Sequence, residues 1–207
     1  MSESRRVNTR GVERRKALVE AAVDLWSTTG WRGTGITVVA ERAGVTPAGL
    51  LHHFGTKEAF LLAVVKELDL QTLARFDGRQ RVGGLEMLRM LPEMARQPAE
   101  RPALWRLLLM LQAENFDSTS PAHDYFVGRQ EVVHELLAAA LRRGQESGEV
   151  RADVDARMVA AEILAFLLGL QVFREHGPFD IDLIAACEDF SRRMIADLAV
   201  DPAAAAR

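Results

Sequence analysis

The chain has 207 residues, 48% of them hydrophobic, a single cysteine (Cys187) and a formal charge of −3. Such a length holds one or two domains with enough apolar content to fill a core, while one thiol excludes an internal disulfide and any cysteine-paired metal site. No uninterrupted apolar run reaches the roughly 18 residues of a membrane span, and no signal-peptide pattern precedes the basic N-terminus, so the expected location is the cytoplasm.

Taken in order, the pattern predicts an all-α protein of about nine helices. Residues 1–9 form a basic arm, expected to be disordered, ahead of a helix over 10–29 whose Leu18, Ala21, Ala22, Leu25 and Trp26 make one apolar stripe. Gly30, Gly33 and Gly35 punctuate the loop that follows, and helices are predicted over 35–43 and 47–53. A long fourth helix opens near Lys57, with Leu61, Val64, Val65 and Leu68 along one side. Polar, glycine-containing 75–84 reads as a turn or loop. Helices over 85–96, 103–115, 121–146, 155–175 and 181–199 build the remainder, with breaks at Pro98, Pro102, Pro121, Gly148 and Gly177-Pro178. The alanine-rich tail 201–207 is short and uncapped, and is expected to fray.

The segment from Ile36 to Glu58 carries the chemistry. Ile36, Val39, Ala40 and Ala43 share one helical face, and Gly44 is placed to take a left-handed C-terminal position. Thr46 then supplies a cap and Pro47 suits a first turn. Leu50 and Phe54 point back to the first helix of the pair, which leaves Pro47, Ala48, Gly49, Leu51 and His52 outward or at the edges. A helix of about seven residues spans about 10 Å. That fits a major groove about 12 Å wide.

These residues resemble the TetR family of bacterial transcriptional regulators. The match runs from about Arg10 to Leu68 through Ala17, Leu18, Ala21, Ala22, Leu25, Gly30, Ala40, Ala43-Gly44-Val45-Thr46, Leu50, His53-Phe54 and Lys57-Glu58. Two positions depart from the pattern: Gly35 stands where the family commonly has a Ser or Thr cap, beside Thr34, and Leu51 stands where it often has Tyr. The resemblance implies a three-helix helix-turn-helix head over 1–57 and a helical ligand-binding and dimerisation bundle over 58–207. It also implies a dimer that reads a palindromic double-stranded operator and answers to a small-molecule effector, most often as a repressor. Candidate DNA contacts are Thr34, Gly35, Thr46, Pro47, Ala48, Gly49, Leu51, His52 and Lys57, the last where the family places a phosphate-binding lysine. The bare Ala48 and Gly49 favour backbone, methyl and shape readout over bidentate side-chain pairs.

Charge distribution agrees. Residues 1–57 hold nine lysines and arginines against five acids, a net +4, which leaves −7 on the rest. A cationic head gains affinity by releasing phosphate counterions, and an acidic body is repelled by the same phosphates. The bland alternative for the first nine residues is a solvated charged arm.

Within the body, the segment from Leu104 to Leu111 is apolar on nearly every face and ends in Gln112, Glu114 and Asn115. Trp105, Leu108, Leu111 and Gln112, with Phe126, Phe166 and Gln171, are candidate ligand-pocket residues, set against the plainer reading of them as core. Apolar Ile163, Leu167 and Leu170, mid-helix Gly169, and Leu183, Cys187, Phe190 and Met194 are candidate dimer-interface residues, since the resemblance implies a four-helix interface from the last two helices of each subunit.

Enzyme signatures are missing from the pattern. His134-Glu135 begins like a zinc-protease HExxH, but Ala138 stands where the second histidine is required. Adjacent His52 and His53 lie about 100° apart on a helix and cannot share one ion. No cofactor, metal or catalytic residue is therefore expected. Two other classes stay open: a helical-bundle enzyme or carrier with a vestigial head, and a DNA-binding protein that senses no ligand.

Overall fold

In the computed structural model the described residues are 3–73, 82–100, 102–177, 181–201 and 203. They form α1 (Glu3–Gly33), α2 (Ile36–Arg42), α3 (Pro47–Phe54), α4 (Lys57–Leu73), α5 (Gly84–Arg89), α6 (Leu91–Glu100), α7 (Pro102–Glu114), α8 (His123–Ser147), α9 (Ala156–His176) and α10 (Leu183–Leu198). Only Met90 separates α5 from α6, so the expected nine helices become ten when that pair is counted twice. Among the described residues there is no strand, only an isolated antiparallel bridge between Val150 and Ala199. The all-α expectation holds.

Two local expectations need correction. Helix α1 begins at Glu3, so most of the expected arm is helical. Pro98 falls within the last turn of α6, where its missing N–H removes one bond without ending the helix. The predicted loop at 75–84 and the tail at 201–207 lie largely outside the described residues, although Gly84 already opens α5.

Packing divides the chain into one unit of Met1–Ala74 with Ala103–Phe126, and a second of Arg75–Pro102 with Val127–Arg207. The boundary expected between 57 and 58 is a division by task, whereas packing joins α4 and α7 to the head helices. In the first unit, Leu18, Ala22 and Trp26 of α1, Val39 and Ala40 of α2, Leu50 of α3 and Phe60, Leu61 and Val64 of α4 are fully buried in one core. Leu107 and Leu111 of α7 share that core. Tyr125 donates its hydroxyl to Asp69 at 2.5 Å, tying the start of α8 to α4. Asp69 is only 3% exposed, so its carboxylate needs such a donor.

The second unit packs α10 on α6, α5 and α9 around Leu88, Leu91, Leu141, Ala160 and Ile163. Its helix starts are well capped: Asp155 accepts from the N–H groups of Arg157 and Met158, and Asp182 from those of Ile184 and Ala185. Buried Ser191 of α10 donates to the Leu88 carbonyl at 2.7 Å. Helix α8 and the start of α5 approach closely at Gly144 and Gly84. A Cβ on Gly144 would stand 2.5 Å from Gly84 Cα and 2.6 Å from Val150 Cγ2, and the first of these can yield only by moving backbone. Gly144→Ala is expected to destabilise the protein by about 1 to 3 kcal/mol, as overpacking does, despite alanine's better helix propensity. Denaturant unfolding checks this, and an unchanged or higher midpoint would contradict the close approach.

Candidate nucleic-acid interface

The reading helix is built almost entirely by its flanks. Gly44 adopts φ 68°, the left-handed turn that ends α2, while the Val45 N–H bonds the Ala40 carbonyl at 2.9 Å. Thr46 then caps α3, its Oγ1 accepting from Gly49 N at 3.0 Å, and Pro47 occupies the first turn. Gly49 has a reason to lack a side chain: a Cβ there would come to 3.1 Å from the same Oγ1. On the inner face Leu50 is fully buried, and Phe54 stacks obliquely on Phe60 of α4 at 4.7 Å. Phe60 in turn meets Trp26 of α1 edge-on at 5.4 Å. Three aromatic rings from three helices thus set the angle at which α3 emerges.

Outward, Ala48, Leu51 and His52 are exposed, with Pro47 and Gly49 half-buried at the edges. This agrees with the face expected from periodicity. His53 is exposed as well, with its ring 5.9 Å from that of His52, so it is a surface group. Gly35 is the N-cap of α2 and is exposed, with no side-chain cap bond. Thr34 is a correction. It is 5% exposed, its hydroxyl donates to the Gly30 carbonyl at 3.1 Å and pairs with that of Thr29, and it therefore locks the α1–α2 turn instead of facing a phosphate.

Two cations flank α3, each laid on a ring. Lys57 opens α4 after Thr56, whose Oγ1 accepts from Ala59 N, and its ammonium lies 5.0 Å from the Trp31 ring centroid. The Arg15 guanidinium of α1 lies 5.2 Å from the Phe54 centroid. Cation–ring contacts of this kind hold a long side chain in place while leaving its charge accessible. In the sequence Arg15 was only one of the nine lysines and arginines of residues 1–57. Arg42 is spent internally, on a 2.6 Å ion pair with Asp24 that fastens α2 to α1.

The candidate effector residues are distributed differently from the expectation. Leu108, Leu111 and Phe126 are buried in the core of the first unit, together with Trp26 and Phe60, and so read as packing; Trp105 and Gln112 are half-buried on the same unit. In the second unit Phe166 stacks flat on Phe190 at 3.9 Å, and Gln171 is 9% exposed with its Oε1 lacking a partner. Three of the candidate dimer residues need a similar correction, since Ile163, Leu183 and Cys187 are buried within their own chain. Leu167, Leu170 and Phe190 pack against that core, and half-buried Met194 does too. Burial also pushes the Cys187 thiol up to about 11, which leaves it an inert apolar group. Gly169 alone of the set looks onto open space, with nothing within 4 Å of where its Cβ would be.

Among the described residues no group of three or more histidines, cysteines, aspartates or glutamates is placed to hold a metal ion. Residues 18–64 match the family model described as bacterial regulatory proteins, tetR family, and residues 84–175 match that described as tetracyclin repressor-like, C-terminal domain; together they cover more than half of the chain. The HTH-type transcriptional regulator UidR of Escherichia coli K12 is 23% identical over 157 residues, 75% of this chain and 79% of that protein. RutR of the same organism, also an HTH-type transcriptional regulator, is 40% identical over 55 residues, 27% of this chain and 26% of its own. A solved Saccharomonospora viridis protein in complex with choline shares the fold, with TM-score 0.75 at 21% identity over 92% of this chain and all of that one.

Because the cap on α3 carries so much of this geometry, Thr46→Ala is expected to cost about 1 kcal/mol of stability and Thr46→Ser much less. Thermal unfolding of the two variants tests it; equal midpoints for wild type and Thr46→Ala would remove the cap from the account.

Proposed function

Since this chain belongs to the TetR family of bacterial regulatory proteins and is a DNA-binding transcriptional regulator, we propose that it works as a dimeric, effector-responsive repressor of a palindromic operator in the cytoplasm. The observation that carries the reading is the outward face of α3. It is small and smooth, capped at its start, buried on its inner side, and bracketed by the cations of Lys57 and Arg15. Ala48, Gly49 and Pro47 let the helix backbone approach base edges closely, with Leu51 and His52 beside them, while Thr46, Gly35 and the two cations meet phosphates. Repression is favoured by the repressor-like model matched by the body.

Dimerisation supplies specificity. One helix of this length contacts few base pairs, whereas two related by a two-fold axis read both halves of a palindrome at a spacing of about 34 Å or a multiple. Helix α9 points to the surface that pairs. By length and composition it is apolar enough to cross a membrane, at a mean hydropathy of 1.7, yet one of its faces packs in its own core. The opposite face is exposed and largely apolar: Met158, Ala161, Ala165, Val172 and Phe173, with bare Gly169 and the acid Glu162 among them. A run of exposed apolar side chains on one helix face is the kind of patch that a partner covers. Small residues at every fourth position let a second copy of α9 approach closely, and isologous pairing satisfies both subunits at once. An effector that prefers a spacing of heads unmatched to the operator would release DNA, and a coupling of about 1 to 3 kcal/mol is sufficient.

Two measurements test this. Lys57→Ala should weaken binding to all duplexes alike and lower the slope of log affinity against log salt by about one; a changed base preference at constant slope would assign Lys57 a different role. Ala165→Arg should leave the chain folded but shift it from dimer to monomer in sedimentation, with loss of operator binding. An intact dimer would move the interface elsewhere.

A further inference from the structure

Trp31 is 5% exposed, yet its ring carries two cations: the Lys57 ammonium at 5.0 Å and the Arg32 guanidinium at 5.6 Å from the centroid. These three residues come from two helices, α1 and α4, and a third element is bound to them. Arg32 Nη2 donates to the Glu114 carbonyl at 2.9 Å and to Ser120 Oγ at 3.2 Å, so the guanidinium is anchored on the last turn of α7 and the connection to α8. That connection is itself held by a turn in which Ser120 N–H bonds the Asp117 carbonyl. The Thr119 hydroxyl and backbone N–H accompany it, holding the Asp117 carboxyl below its ordinary range.

Gly30 makes the arrangement reachable. Its φ of 70° breaks α1 just before Trp31, and a Cβ there would fall 2.5 Å from Glu114 Oε1. The end of α7 therefore rests on bare glycine backbone, and the kink turns the indole into the core beside the start of α4. A lysine side chain free in water loses substantial rotamer entropy when it engages a phosphate. One already laid on an indole has lost part of it before DNA arrives.

We infer that Trp31 is a positioning residue for DNA binding, which preorganises Lys57 for a backbone phosphate and, through Arg32, registers that cation to the last turn of α7. The inference rests on the proposed phosphate role of Lys57. It adds a route by which the place of α7 is felt at the DNA surface, with each step a named contact inside the first unit.

Double-mutant cycles with Lys57→Ala test it, because a merely structural role for Trp31 would cost the same affinity whether or not Lys57 is present. Trp31→Leu is expected to reduce operator affinity about two- to fivefold and to lower the salt slope by as much as one, and to add almost nothing in the Lys57→Ala background. If Trp31→Leu fails to fold by circular dichroism, Trp31→Phe takes its place, with a smaller loss that again vanishes without Lys57. Lys57→Arg, whose guanidinium stacks on indole at least as well, should retain the affinity of the parent. Arg32→Gln should follow the same non-additive pattern. Additive losses for Trp31 overturn the platform, and additive losses for Arg32 overturn the registration to α7. An unchanged salt slope in Lys57→Ala alone sinks the phosphate role itself, which separates the two failures.

Discussion

An eight-residue helix cannot hold its own shape in water, and everything in the first unit follows from that weakness. Helix α3 is about 12 Å long and has only two turns of internal bonding. Its conformation comes from outside: a left-handed glycine before it, a threonine cap, a proline that has no N–H to leave unpaired, and Leu50 buried and Phe54 half-buried beneath. The aromatic sequence from Phe54 through Phe60 to Trp26 converts hydrophobic burial into orientation. Because the inner face does all the holding, the outer face is free to be small, and that smoothness suits close backbone approach to DNA.

The same economy governs the cations. A flexible lysine or arginine at a phosphate gives up rotamer entropy, and rings packed in or against the core reduce that cost for the contacts proposed at Lys57 and Arg15. Core packing and the placing of cations are thus two uses of the same aromatic residues. In the second unit the logic is inverted. There α9 is largely apolar on both faces, one packed in its own chain and the other exposed, so the surface proposed for pairing is continuous with a core instead of being an addition to it.

Much of this was legible in the sequence, and the reasons are local. Gly44, Thr46 and Pro47 act on their own neighbours, so the turn and the start of α3 could be read directly, as could the inward Leu50 and Phe54. Helix spans in the body were close because prolines and glycines punctuate locally. What was missed required knowing which of several burials wins. Periodicity marks Ile163, Leu183 and Cys187 as a stripe but cannot say that the stripe is consumed within the chain, leaving Ala161, Ala165 and Gly169 outside. Thr34 sat beside a helix start, and only the kink at Gly30 turns its hydroxyl inward. The pairs Lys57–Trp31 and Arg15–Phe54 join residues far apart in the chain, and no spacing rule brings them together. Leu108 and Leu111 show the reverse error, in which a strongly apolar helix invited a ligand but was needed to close the core behind the head.

The central claim is that two identical, smooth-faced reading helices are presented together to DNA. Footprinting of the purified protein on genomic fragments that it selects at moderate salt tests this most directly. The account requires two protected half-sites in inverted repeat, centred about one helical turn or a multiple apart. A single isolated protected patch with no inverted partner, or no protected sequence at all, would contradict it.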